Sequence, residues 1–302
     1  KENKSYINTS KPTFFETITC MAFWYFNKKK VDIAIMETGL GGRLDSVSAC
    51  VPKIIVFTKI GMDHSEILGN TIKKITIEKA GAIKPNSICV SSPQVQIVRE
   101  ELQKKIESTN SNIFYAQASN LTINLNGAIQ KENASTALAV IKNLKDFQVE
   151  RHHINSALLA INWPGRNHII QEKPLIVFDV AHNEDGINQF LEFLSQQEIK
   201  GKQRLIISLQ KNKKITSKTS KKILSIYNKI YCVTPSSKHP MSSHKLKEAL
   251  QNHQKVQIKK DVFKTFQYVL GKTQPEDSIS IIGTHYFGPY ITKFFKICFD
   301  KI

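Results

Sequence analysis

Apolar positions in the first half of the chain alternate between two periods. Phe14 to Phe26 spaces large apolar residues as a helix does. Val31-Asp-Ile-Ala-Ile-Met36 and Ile54-Ile-Val-Phe-Thr58 are short β-rich runs that end in or near glycines, and Ile88-Cys-Val90 is a third. Between them Ile67 to Ala82 reads as a helix stopped by Lys84-Pro85. Strands alternating with helices predict a parallel sheet covered on both faces. Ile123-Asn-Leu125 is a weak strand signal. In Glu132 to Leu144, residues Ala134, Ala137, Leu138, Val140, Ile141 and Leu144 fall on one helical face. A short helix, His153 to Ile161, then runs into Asn162-Trp163-Pro164-Gly165, the clearest break in the chain.

The second half restarts the alternation. Strands are expected at Leu175–Asp179, Arg204–Ser208, Lys229–Val233, Val256–Ile258 and Ser278–Ile282. Lys211 to Lys222 should be an exposed loop entering a helix. The pattern predicts an α/β protein in two domains, 1–162 with a central parallel sheet and 163–302 with a smaller Rossmann-like sheet.

Composition narrows the class. The chain has 302 residues, 41% hydrophobic and 23% charged, ordinary for a globular protein. No apolar run approaches the roughly 18–20 residues of a membrane span, and Lys-Glu-Asn-Lys at the start is not the opening of a secretory signal. Five scattered cysteines with no C-x-x-C pair argue against a zinc site or disulfide framework and fit a reducing, cytoplasmic setting. The net charge of +18 raises the question of nucleic acid. Only five of the 43 basic residues are arginine, however, and nucleic-acid surfaces favour arginine forks. A lysine-rich surface with mild attraction for anionic substrates is the better reading, with no nucleic-acid or membrane partner.

Candidate chemistry lies at strand ends. Glu37-Thr-Gly-Leu-Gly-Gly-Arg-Leu-Asp45 follows a β-rich run, and a carboxylate there would point into the usual ligand crevice and could bind Mg²⁺. The same residues would also serve as a plain Gly-rich turn. It is not a dinucleotide fingerprint, since the third glycine and the helix start are missing. Gly61-Met-Asp-His-Ser-Glu-Ile-Leu-Gly69 places His64 at a second strand-to-helix turn, beside which imidazole could take a metal position. Lys79, in Glu78-Lys-Ala-Gly-Ala-Ile-Lys-Pro85, suits a helix C-terminus by its charge alone. Asn133, Arg166 and Asp179, the last at a strand end in Asp-Val-Ala-His182-Asn, read together as nucleotide contacts on two domains around one hinge.

Taken in order, these stretches resemble the folylpolyglutamate synthase/dihydrofolate synthase family, relatives of the Mur ligases. The resemblance is carried by TFFE (from Thr13), VDIAIMETGLGGRLDS (from Val31), GMDHSEILGNT (from Gly61), EKAGAIKP (from Glu78), ENASTAL (from Glu132), WPGR and DVAHN. It implies an ATP- and Mg²⁺-dependent ligase that joins L-glutamate to dihydropteroate or a folate through an acyl phosphate, working as a monomer. It further implies Glu37 and His64 as Mg²⁺ ligands and Lys79 as a lysine that is carbamylated. Asn133, Arg166 and Asp179 would be ATP contacts, Thr13 and Leu44 pteroate contacts, and His182 a residue positioning the transferred phosphate. One departure is large. The family's Gly-Thr-Asn-Gly-Lys-Gly-Ser phosphate loop, expected roughly a hundred residues before Glu37, is not in this sequence. Gly271-Lys-Thr273 is no substitute and reads as a helix C-cap. The expectation is of a sequence truncated at its N-terminus, with little or no ligase activity by itself. An inactive or split-gene nucleotide-binding remnant is the alternative.

Overall fold

The computed structural model describes residues 9–299. It divides into two compact units, residues 1–117 with 135–148, and residues 118–134 with 149–302. In the first, helix α1 (Phe14–Lys29) precedes strand β1 (Ile54–Phe57), helices α2 (Ser65–Leu68) and α3 (Ile72–Ala80), strand β2 (Ile88–Ser91), helix α4 (Gln96–Ser108) and strand β3 (Asn112–Tyr115). The strands form a parallel sheet in the order β1-β2-β3. Ile55, Phe57, Ile75, Cys89, Val98, Leu102 and Ile106 build its core. Val98, Leu102 and Ile106 recur every four residues, so α4 lays one stripe on the sheet.

Helix α5 (Ala128–Asn143) runs from the second unit into the first, and α6 (Arg151–Ala160) belongs to the second. There follow β4 (His168–Glu172), β5 (Leu175–Asp179), α7 (Glu184–Ser195), β6 (Gln203–Ile207), α8 (Ser217–Ile226), β7 (Lys229–Cys232), α9 (Ser243–Ala249), β8 (Val256–Ile258), α10 (Val262–Leu270), β9 (Ser278–Ile282) and α11 (Gly288–Phe295). The sheet order is β4-β5-β9-β6-β7-β8, parallel except for the antiparallel edge strand β4, whose register slips between Ile169 and Gln171. Alternate residues face opposite layers. Val177, Leu205, Ile207, Ile230 and Ile282 pack with Ile187, Phe190 and Leu191 of α7, Ile223 of α8 and Leu246 of α9. Ile176, Phe178, Ile206, Tyr231 and Ile281 pack with Phe266 and Val269 of α10 and Ile291 of α11. Each such side chain, fully buried, contributes about 1.5–3 kcal/mol of transfer free energy. The expected α/β class and parallel sheets are therefore observed.

Three expected elements differ. Val31–Met36 forms no strand: within the described residues it pairs with none, and Ile33 and Ile35 stand 47% and 92% exposed. β-Branched composition favours an extended chain, but a strand needs a hydrogen-bonding neighbour. Ile123–Leu125 is likewise irregular. The helix expected over 67–82 breaks at Gly69, whose φ of 109° no helix tolerates, leaving α2 and α3. Gly271 is indeed the C-cap of α10. Among the described residues no helix is long and apolar enough to cross a membrane.

Candidate functional site

In the first unit the glycine-rich loop after Glu37 folds onto the C-terminal end of α3. Asp45 closes it, with Oδ2 accepting from Leu40 N at 2.8 Å and Oδ1 from Val47 N at 2.9 Å. The Arg43 backbone N–H donates to the Glu78 carbonyl at 2.9 Å, and its guanidinium meets the Glu78 carboxylate at 3.1 Å. Gly42 sits so close to α3 that a Cβ there would lie 2.5 Å from the Lys79 carbonyl oxygen.

The loop thereby brings acidic groups to Lys79. Burial pushes the half-buried Lys79 ammonium below its ordinary pKa, against the opposing pull of Asp63, Asp45 and Glu37. Asp63 and Asp45 were not singled out in the sequence, although both stand in the same two motifs as Glu37 and His64. His64 holds a left-handed backbone (φ 50°, ψ 36°) at the N-cap of α2. Its backbone N–H donates to Asp63 Oδ1 at 2.8 Å, and its ring lies within 4 Å of both Asp63 and Glu66.

Glu37 is exposed, as is Leu44 at 81%. Thr13 is an N-cap: its hydroxyl accepts from Glu16 N at 3.3 Å and donates to Glu16 Oε2 at 2.7 Å. Its capping role alone is sufficient reason for a Thr with Glu at that spacing. Among the described residues no three His, Cys, Asp or Glu side chains converge as a self-sufficient metal site. Magnesium does not require one, because it keeps several waters and takes one or two carboxylates plus phosphate oxygens. The carboxylates of Glu37, Asp45 and Asp63 have the hard oxygen chemistry that suits it. Imidazole, which His64 would contribute, is the softer donor.

In the second unit Asp179 ends β5 and is buried. Its Oδ2 accepts from Asn167 N at 2.6 Å and its Oδ1 from Ala181 N at 2.7 Å. Burial pushes its carboxyl above the usual range, opposed by those two N–H groups and by the Arg166 charge. Gly165, at φ 79°, accepts from Val180 N through its carbonyl at 3.0 Å and so fixes where Arg166 leaves the turn. Arg166 itself is exposed. His182 Nδ1 lies 2.9 Å from the Val180 carbonyl, and Asn183 caps α7 by accepting from Gly186 N at 2.9 Å. Asn133, on α5, donates to Gln130 Oε1 at 3.3 Å. Asp179, Arg166 and His182 thus share one end of the sheet, the end where open α/β sheets bind ligands.

Residues 165–285 match the Mur ligase, glutamate ligase domain. It is 34% identical over 232 residues to the dihydrofolate synthase/folylpolyglutamate synthase of Bacillus subtilis, covering 67% of this chain and 54% of that protein. It is 31% identical to the folylpolyglutamate synthase of Lacticaseibacillus casei, covering 61% of this chain and 50% of the relative. The chain is therefore a homologue of the folylpolyglutamate/dihydrofolate synthases, as its motifs imply, and it spans about half the length of these two relatives. The fold agrees. A Mycobacterium tuberculosis folylpolyglutamate synthase complexed with ADP superposes with a TM-score of 0.86 at 20% identity, covering 97% of this chain and 75% of the other. The Yersinia pestis bifunctional enzyme complexed with AMPPNP and Mn ion gives 0.83 at 23% identity, covering 95% and 72%.

Proposed function

We propose that this chain is the glutamate-adding part of an ATP- and Mg²⁺-dependent folylpolyglutamate/dihydrofolate synthase, acting as a cytoplasmic monomer on dihydropteroate or a folate. The observation that carries the reading is the half-buried Lys79 with the charges of Glu37, Asp45 and Asp63 acting on it, held by a loop that only glycine at position 42 allows. The domain division 1–162 and 163–302 belongs to the same proposal and is supported by the Mur ligase match beginning at residue 165.

The reaction would pass the terminal phosphoryl group of ATP to the acceptor carboxylate. The glutamate amine then attacks that acyl phosphate, and phosphate leaves as the amide forms. Bound Mg²⁺ would neutralise charge on the phosphates during transfer. Glu37 and His64 would hold the metal. Lys79, its ammonium disfavoured by burial, is suited to react as the free amine with CO₂, and the resulting carbamate would be a further oxygen donor. Asn133, Arg166 and Asp179 would contact the nucleotide and His182 would position the transferred phosphate. Thr13 and Leu44 would face the pteroate, Leu44 from an exposed position that leaves its side chain open to a ligand. An inactive or split-gene nucleotide-binding remnant is the second reading.

The test is ATP- and Mg²⁺-dependent incorporation of labelled glutamate by the longest product of the reading frame. Glu37→Ala and His64→Ala should each abolish it. Retained turnover in both would overturn the metal assignment, and a frame without any Gly-Lys phosphate loop and without turnover would favour the remnant.

A further inference from the structure

The opposite edge of the second sheet, at the N-terminal ends of β6, β7 and β8, carries a cavity of about 330 Å³. Its walls include Lys202, Lys229 and Lys272, with Tyr231 and Tyr268 between them. Lys259 stands at its border, its ammonium 4.1 Å from the Tyr268 ring centroid, and Lys272 lies 4.7 Å from the same ring. Arg204 also lines it, but its charge is already matched: Nη1 meets Asp277 Oδ2 at 2.7 Å and Nη2 donates to the Lys272 carbonyl at 2.7 Å. Asp277 is fully engaged as well, accepting from Lys202 N and Gln274 N. Among the described residues, none of Lys202, Lys229, Lys259 and Lys272 has a carboxylate within ion-pairing distance. Four ammonium groups therefore gather on one small concavity without a counter-charge. Helix C-termini favour cations at this edge, and that would explain Lys272, but not the convergence of four.

We propose that this cavity binds a small polyanion bearing two or more phosphate or carboxylate groups, at a site separate from the Asp179 end of the sheet. The volume is at the lower end of small-molecule sites. The Tyr268 ring already receives two ammonium groups, so it serves to hold cations and not to stack a base. Those ammonium groups also keep its hydroxyl below the ordinary tyrosine pKa, the hydrogen bond from Lys272 first among them, as expected where positive potential is concentrated. The inference is independent of the ligase reading.

Calorimetric titration of the protein with inorganic tripolyphosphate and with triglutamate, at about 150 mM salt, tests it. One-to-one saturable binding is expected for at least one probe, and the tighter one identifies phosphate or carboxylate as the natural group. Lys229→Gln with Lys272→Gln should weaken it roughly tenfold or more, the scale of lost charge-assisted contacts. Lys218→Gln with Lys221→Gln, an equal loss of charge on α8, and Arg166→Gln should leave it unchanged. Equal weakening by both lysine pairs would show diffuse surface attraction and overturn the proposal. Loss with Arg166→Gln alone, or no saturable binding of either probe, would overturn it as well.

Discussion

The carbonyl oxygen of Lys79 occupies the space, 2.5 Å away, into which a Cβ on Gly42 would project. Backbone meets backbone there, so no side chain can yield. Gly42→Ala should therefore push the loop off α3 and cost about 1–3 kcal/mol, as overpacking does. Urea unfolding should show it as a lowered midpoint. Gly288→Ala is the control, since its Cβ would meet nothing nearer than 3.8 Å. Equal midpoints for the two variants would remove the close approach from the account.

Asp179 satisfies two buried backbone N–H groups at once. Its replacement by Ala leaves both without a partner and should cost about 2–4 kcal/mol. Because burial raises its pKa above 3.8, the folded state binds more protons than the unfolded one just above that value. Stability from this group should fall as pH rises through the interval. Asp179→Asn should flatten that slope in thermal melts across pH, and an unchanged slope would contradict the assignment.

Asp277 behaves oppositely. Burial would raise it, but the N–H groups of Gln274 and Lys202 and the Arg204 guanidinium outweigh burial and hold its carboxyl below the ordinary value. Its contribution is present above pH 3.8 and is lost as pH falls towards the folded-state pKa. Arg204→Met leaves a buried carboxylate without its cation and should cost about 3–5 kcal/mol at neutral pH. Chemical denaturation at neutral pH measures it, and a loss under 1 kcal/mol would be far too small for a buried pair.

Lys79 supplies a fourth prediction. With its folded pKa below 10.5, the unfolded chain binds the proton more tightly, so stability should rise with pH through the interval between the two values. The same depression enlarges the fraction of free amine. Protein equilibrated with ¹³C-bicarbonate should give a carbamate carbonyl signal that disappears in Lys79→Arg. A signal that persists in the variant would place the adduct elsewhere.

The strands of the second unit were readable because buried parallel strands are continuous apolar runs: Leu175–Asp179, Val256–Ile258 and Ser278–Ile282 have the expected bounds. β3 and β4 are not legible in the sequence because edge strands need only half-apolar runs, as in Asn112–Tyr115 and His168–Glu172. The helix Gln96–Ser108 carries Val98, Leu102 and Ile106 at helical spacing, but the charged residues between them hide it in the sequence. Val31–Met36 misled because composition reports preference and not partners. At the candidate site, Glu37 and His64 stood out by motif, whereas Asp45 and Asp63 become relevant only once the fold brings their charges to Lys79.

The irregular edge strand β4 has a colloidal consequence. A mostly parallel sheet of continuous apolar strands would otherwise offer open hydrogen-bonding rows to other chains. Here one border is closed by an antiparallel strand with a slipped register, and the other ends in β8, only three residues long. Neither border presents a long, flat template, so crowding many copies together should not zip these sheets edge to edge.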